Sequence, residues 1–461
     1  MEKQKTRTKP FGITDRISYM FGDFGNDFTF ILSSMFLMKF YTDVMGVSSG
    51  LVGLMMMVAR IVDAFTDVAM GQICDRSKRT AKGKFAPWIL RVCGPVALAS
   101  FLMYAVWFKD RSMGFKIFWM FFTYLLWGSI CYTGINIPYG SMASAITDDP
   151  KERASLSTFR TIGGTLANMV IGVILPLVVY YTDATGNTVF SGERMCIAAL
   201  CCSIGAIICY MICYHLTTER VKIETKTETF SFGELVKTVF SNRALIGIVS
   251  AALVLLLSQL TLNGMGNYIY PNYFGNVSAF STATMLQSLL MLAISTVAVK
   301  MSSKIGKKEL ATTGAVIGAA ALFVAFFLHT DNVWVFVALY LICSIGITFF
   351  NLLCWAMITD VIDDVEVKSG SRSDGTVYAV YSFARKLGQA ASSGLIGGLL
   401  SLIGYSAATA FEPSVTNGIY NITCLIPAVG FVLLALVLKF VYPLDKKTVE
   451  NNVNILREKR G

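Results

Sequence analysis

The chain has 461 residues, of which 54% are hydrophobic and only 15% charged, with a formal net charge of +10 and a mean hydropathy of +0.60. Soluble domains carry about 25% charged residues, so a chain of this length cannot cover a water-facing surface. A soluble enzyme, a secreted domain, a disordered protein and a nucleic-acid-binding module are excluded together, which leaves an integral membrane protein.

A membrane helix needs about 20 mostly apolar residues. Twelve runs qualify: 17–41, 47–74, 86–108, 117–146, 155–182, 195–217, 244–274, 280–299, 309–329, 333–362, 376–404 and 417–442. The segment Met1 to Pro10 is basic, and no small-residue cleavage site follows it, so the first run is expected to be a retained span. Most of the 39 basic residues lie in the two terminal segments and in alternate loops around 75–91, 147–153, 218–243, 300–308 and 365–372. The opposite loops hold only Lys109, Arg111, Lys116 and Arg194, with Lys39 near a helix end. This bias places both termini in the cytoplasm, as an even number of spans requires.

The longest polar stretch divides the chain. The expected organisation is an N-terminal six-helix bundle over 1–217, a cytoplasmic middle loop over 218–243, a C-terminal six-helix bundle over 244–442 and a cytoplasmic tail over 443–461. The second-to-third loop reads Gly71-Gln-Ile-Cys-Asp75-Arg76-Ser-Lys78-Arg79, and Lys304-Ile-Gly-Lys307-Lys308 stands at the matching place of the second half. The Gly-x-x-x-Asp-Arg lead-in resembles the loop motif of the major facilitator superfamily. The fold class implied is an all-α membrane protein of two six-helix bundles, with a substrate site between them near the midplane.

Ionisable groups in hydrocarbon are expensive and mark function. The first run contains Asp23 and Asp27, four apart and so on one face. The second contains Arg60, Asp63 and Asp67 on one face. The fifth opens with Arg160, the tenth ends with Asp360, Asp363 and Asp364, and the eleventh holds Arg385 and Lys386. Asp27, Asp63 and Asp67 outnumber Arg160 and Lys386, and the surplus suits a small cation or a proton shared between carboxylates. Asp23 and Arg60 are expected to be structural, nearer a membrane edge. The seventh run carries Gln259, Asn263 and Asn267 on one face, suited to binding hydroxyls or to bonding neighbouring helices. Tyr139, Trp355, Tyr378 and Tyr381 lie near these positions and suit either a sugar face or ordinary packing. Eleven cysteines are scattered without pair spacing and read as apolar packing residues. With two histidines and no nucleotide-binding loop or zinc motif, no catalytic constellation emerges. Paired, asymmetric charges also argue against a channel. An ion gradient is the expected energy source.

Phe40-Tyr41-Thr42-Asp43, Ala59-Arg60-Ile61-Val62-Asp63-Ala64-Phe65-Thr66-Asp67, Gly83-Lys84-Phe85-Ala86-Pro87-Trp88 and Tyr381-Ser-Phe-Ala-Arg385-Lys386 resemble the glycoside–pentoside–hexuronide:cation symporters. The resemblance implies that Asp63 and Asp67, with Thr66 and Thr133, form a cation site for H+ or Na+. It implies a substrate site of Asp27, Asn136, Arg160 and Lys386, with Asn26, Tyr139, Trp355 and Asn263 nearby. It also implies a cytoplasmic gate from Asp75, Arg76, Arg79, Asp360, Asp363 and Arg372. Thr66 stands where sodium-using melibiose carriers have asparagine, Asn136 where they have a second aspartate, and Gly140 and Asn351 where they have two tryptophans. Asn136-Ile-Pro-Tyr-Gly140, Ile305-Gly-Lys-Lys308 and the Arg385-Lys386 pair look closer to the glucuronide and pentoside branch. The expected function is import of a glycoside, a glucuronide or pentoside, by symport with H+ or Na+. A galactoside:Na+ symporter, an uncoupled facilitator and a drug exporter are the alternatives. No cofactor beyond the coupling ion and no nucleic-acid partner is expected. A single chain in a bacterial inner membrane suffices.

Overall fold

The computed structural model describes residues 10–221, 242–369 and 374–460. Among them, twelve long helical segments fall on the twelve expected runs. They are α1 (Ile13–Asp43), α2 (Ser49–Arg76), α3 (Ala86–Leu102), α4 (Met113–Leu125) continued by α5 (Thr133–Ile146), α6 (Pro150–Met169) continued by α7 (Leu175–Val179), and α8 (Gly192–Leu216). The second series is α9 (Arg243–Tyr268), α10 (Val277–Ile305), α11 (Lys307–Leu328), α12 (Val333–Ser369), α13 (Asp374–Leu402) and α14 (Pro413–Leu436). A two-stranded hairpin of β1 (Tyr180–Thr182) and β2 (Thr188–Phe190) links α7 to α8. A final helix, α15 (Lys446–Arg460), follows α14.

Local sequence sets the helix boundaries. Asp149 accepts hydrogen bonds from the backbone of Lys151 and Glu152 at the start of α6. Asn242 does the same for Ala244 and Leu245 at the start of α9. Ser112 and Ser191 cap α4 and α8. Such caps are worth about 1 kcal/mol each. Gly306, at φ +114°, is the single residue between α10 and α11. That backbone conformation admits glycine at little cost.

The chain clusters into two compact units: Met1–Val47, Val58–Tyr181 and Phe190–Glu228 in one, and Ser48–Met57, Thr182–Val189 and Thr229–Gly461 in the other. In the first, α1 lies against α6 and α8, and α3 against α5 and α8. In the second, α11 packs on α12 and α14, and α9 on α13 and α14. Among the described residues, eight segments are long and apolar enough to cross a membrane. Of the others, α3 has only 17 residues, while α1, α2 and α13 carry the charges singled out above. Outward-facing side chains are apolar: Phe327 is 78% exposed. A surface of that kind is solvated by acyl chains, since lipid leaves the backbone to satisfy itself within helices.

Within the stretch 443–461, α15 docks on the end of α12 through Asn452 Nδ2 donating to Asp364 (3.2 Å). Leu444, Asn452 and Leu456 are the buried side chains of this segment. The middle loop over 218–243 begins as an anchored strap, its residues 222–241 lying outside the described ones. The Glu219 carboxylate accepts the backbone N–H groups of Lys84 (2.6 Å), Phe85 (2.9 Å) and Ala86 (2.7 Å) at the start of α3. Arg220 forms two 3.0 Å bonds to Asp15 of α1.

Candidate functional site

The first cluster joins α2 to the α4–α5 segment. Asp63 and Asp67 are four residues apart on α2, so their carboxylates share a face. Facing them, the chain passes through a π-helical turn at Leu126–Tyr132 between α4 and α5. Such turns insert an extra residue into a helix and recur at functional sites. Here the turn sets Ser129 and Thr133 opposite the two carboxylates. Ser129 Oγ donates to Asp63 Oδ1 at 2.5 Å, and Thr133 Oγ1 donates to Asp67 Oδ1 at 2.7 Å. Arg60, one turn earlier on α2, has a terminal nitrogen 3.6 Å from Asp63 Oδ2, and its guanidinium lies 4.7 Å from the Phe30 ring centroid. Two carboxylates and one guanidinium gather here among oxygen donors. Carboxylate and hydroxyl oxygens are what a hard monovalent cation or a proton needs. Thr66 turns its hydroxyl back to the Asp63 carbonyl at 3.2 Å, so it does not bond either carboxylate.

The second cluster joins α1, α5, α6 and α8. Gly163 lets α6 ride against the Met20 carbonyl of α1, and Gly164 opens space for two carboxylates. A Cβ at Gly164 would lie 2.7 Å from Asp27 Oδ2 and 3.2 Å from Asp23 Oδ2, so both groups converge on one point. Arg160 Nε donates to Asp23 Oδ1 at 2.8 Å. The Arg160 guanidinium lies 5.4 Å from the centroid of the Tyr139 ring, which in turn stacks on Tyr19 at 4.6 Å. Tyr139 is buried and donates its hydroxyl proton to the Tyr19 carbonyl at 2.7 Å. It therefore supports Arg160 from beneath and offers no open face to a sugar. Asn26 is also buried. It receives the Tyr210 hydroxyl at 2.9 Å and donates to Asn136 Oδ1 at 3.4 Å. Asn26 thus orients Asn136, which is only half-buried.

Asp23 and Arg60, expected to be structural, are both ion-paired, Asp23 with Arg160 and Arg60 with Asp63. Each is a bonded member of a cluster. The sequence reading also missed Ser129, although its four-residue spacing from Thr133 matches that of Asp63 and Asp67.

In the second unit, Lys386 and Arg385 lie on α13. The Arg385 guanidinium is 5.9 Å from both the Trp355 and Tyr381 ring centroids, and Trp355, 46% exposed, meets Tyr381 edge-on at 5.2 Å. Asn263 of α9 sits 3.4 Å from the Tyr340 hydroxyl of α12, and that hydroxyl donates to Gln287 Oε1 of α10 at 2.7 Å. Asn351 donates to Gln259 at 3.0 Å. Of the expected gate residues, Asp360 accepts from Lys307 at 2.6 and 2.8 Å. Arg79 donates to the carbonyls of Glu219 and Val221, and the Asp75 carbonyl accepts from Lys84 Nζ. Arg76 is exposed and Asp363 half-buried, while Arg372 lies outside the described residues.

A family model for MFS/sugar transport proteins matches residues 18–446. The uncharacterized symporter YjmB of Bacillus subtilis (strain 168) is 32% identical over 467 aligned residues, covering 98% of this chain and 96% of its own. A glucuronide carrier protein homolog of Escherichia coli (strain K12) is 31% identical, covering 96% of this chain and 95% of its own. Among solved structures, a bacterial homolog of the human lysosomal transporter Spinster, inward-facing and unoccupied, superposes with a TM-score of 0.69 at 12% identity, covering 95% of this chain and 97% of that one. That likeness speaks for the fold alone. The homologues are transporters and not enzymes. The chain belongs to the MFS/sugar transport family, and within the major facilitator superfamily to the glycoside–pentoside–hexuronide:cation symporters.

Proposed function

We propose that this protein imports a glycoside, with a glucuronide favoured, by symport with a monovalent cation through alternating access. The observation that carries the reading is the carboxylate pair Asp63 and Asp67, each bonded from the neighbouring segment by one hydroxyl. A cation arriving there meets carboxylate and hydroxyl oxygens on two neighbouring segments. Asp63, Asp67, Ser129 and Thr133 hold the ion. Asp27, Asn136 and the Asp23–Arg160 pair bind the substrate, and Lys386 serves it from the second unit. Coupling is then a matter of linkage: if the cation raises the affinity for the glycoside, the glycoside raises the affinity for the cation by the same factor.

Two features favour an anionic sugar. Arg160 engages Asp23 through Nε alone, and its side chain is 42% exposed, so its two terminal nitrogens can fork a substrate carboxylate. The relative named as a glucuronide carrier homolog aligns along nearly the whole chain.

The test is uptake by proteoliposomes under an imposed sodium or pH gradient, with p-nitrophenyl β-D-glucuronide, the matching xyloside and a galactoside. Glucuronide accumulation driven by either gradient, lost in Asp63→Asn and Asp67→Asn while exchange persists, is the expected result. Accumulation surviving both substitutions refutes cation coupling through this pair. Sodium-driven accumulation of the galactoside alone refutes the anionic substrate.

A further inference from the structure

The second unit contains a small cavity, mostly apolar with a few polar groups, that the charged clusters do not use. Among α9, α10, α12 and α14 lies a cavity of about 10 Å³, whose walls are largely apolar side chains such as Leu262 and Phe336 and whose polar lining residues are Asn263, Tyr270, Thr284, Tyr340 and Thr423. That is room for one water-sized oxygen. Its hydrogen-bonding capacity is unfilled. The Tyr340 hydroxyl has one proton, directed to Gln287 at 2.7 Å, so its 3.4 Å approach to Asn263 Oδ1 leaves that oxygen able to accept. The Tyr270 hydroxyl is 3% exposed as part of its side chain and has no hydrogen-bond partner among the described residues. The Tyr270 ring is fixed by stacking on Phe280 at 5.2 Å and by an edge contact with Phe336 at 5.8 Å. Thr284 and Thr423 donate to carbonyls of their own helices, which leaves their oxygens as acceptors. The hole thus presents one unpartnered phenolic donor, several acceptors and no charge. In an apolar setting such groups are costly unless a partner arrives.

We propose that this hole is a hydroxyl subsite: Asn263, Tyr270 and Tyr340 receive one uncharged hydroxyl of the transported glycoside and thereby set specificity. The ligand chemistry is that of a group which both donates and accepts, and which is no larger than water. A carboxylate of the substrate is excluded by size and by the absence of a cation in the lining. The inference rests on the glycoside-transport reading above, and deepens it by assigning a neutral recognition element to the second unit.

The experiment uses the full chain in proteoliposomes, with Tyr270→Phe and Asn263→Ala beside the unaltered protein. Tyr270→Phe removes one oxygen and keeps the stacked ring, so the fold is preserved, which thermal melting checks. The substrates are the p-nitrophenyl β-glycosides of glucuronate, xylose and glucose, each with its monodeoxy analogues. The expected result is a KM raised roughly tenfold in Tyr270→Phe for the accumulated parent glycoside, with maximal rate and cation dependence unchanged. For one monodeoxy analogue the variant and the unaltered protein should have the same KM. A KM unchanged for the parent, or raised equally for every analogue, overturns the subsite and leaves a hole that holds water only. If the unaltered protein accumulates none of the glycosides under either gradient, the transport reading falls and the subsite with it.

Discussion

Gly164→Ala tests the substrate cluster without removing a charge. The added Cβ would lie 2.7 Å from Asp27 Oδ2 and 3.2 Å from Asp23 Oδ2, against 3.4 Å or more for ordinary contact. The Asp27 carboxylate must therefore retreat by about 0.7 Å, and Asp23 by a few tenths of an ångström while it holds Arg160 at 2.8 Å. Displacing a positioned group by about 1 Å costs on the order of a hundredfold in favourable cases. The expected result is a KM for the glycoside raised roughly ten- to hundredfold, with the half-saturating cation concentration unchanged, because Asp63 and Asp67 sit on α2. The strain itself should cost about 1–3 kcal/mol of stability. Gly163→Ala is the control: its Cβ meets the Met20 backbone carbonyl, which cannot rotate away, so it should loosen α1 from α6 and lower the melting temperature more. The assay is initial-rate uptake over substrate and cation concentrations, with melting of each variant. A Gly164→Ala protein with unaltered substrate KM refutes the placement of Asp27 in the substrate site. An equal loss in cation and substrate affinity refutes the separation of the two clusters.

The remaining predictions concern single hydrogen bonds. Ser129→Ala removes a 2.5 Å bond to Asp63. Bonds to charged groups are worth about 1.5–3 kcal/mol, so the half-saturating cation concentration should change at least tenfold; an unaltered cation titration would show that Ser129 only packs. Glu219→Ala strips the start of α3 of three N–H acceptor contacts, and melting should register a loss of about 1–3 kcal/mol, with no loss counting against the strap. Asp445 accepts the Thr448 hydroxyl at 2.6 Å and the Thr448 backbone N–H at 2.9 Å, and these bonds, the hydroxyl first, hold its carboxyl below the ordinary aspartate range. The folded value is the depressed one, so this stabilisation of α15 is complete above about pH 4 and is lost as pH falls through the depressed value. Hydrogen exchange in the first turn of α15 should therefore quicken on acidification in the unaltered protein, and be quicker already near neutral pH in Asp445→Ala; identical exchange in both at neutral pH refutes the cap.

Much of this was legible because lipid imposes a strong rule on sequence. Apolar runs of fixed length must be helices, and charges within them stand out against the background. That is why Asp27, Asp63, Asp67, Arg160 and Lys386 could be singled out from residue type and spacing. The α15 helix was hidden because it is polar on most of its surface, with Asn452 and Leu456 its buried side chains and Lys446 bonded to the Lys304 carbonyl. Asn263 was a candidate from its spacing on α9, whereas Gln287 and Tyr340 were not singled out, although Tyr340, Ser344 and Thr348 also recur every four residues. They become partners only once α10 and α12 are packed beside α9.

Ser129 shows where helical periodicity fails as a guide. A hydroxyl in an apolar run ordinarily bonds back to its own helix, as Thr66, Thr284 and Thr423 do. Nothing in its residue type separates Ser129 from these. What separates it is the π-helical turn at Leu126–Tyr132, which shifts the register of the segment and turns Ser129 outward to Asp63. The Gly128 position follows the same logic: a Cβ there would come to 3.4 Å from Asp63 Oδ1, so a small residue is compatible with the carboxylate lying close to the turn. The ion cluster is thus built from a regular face on α2 and an irregular one opposite. Regular spacing identifies the carboxylates, and the irregular turn selects the hydroxyl that reaches Asp63.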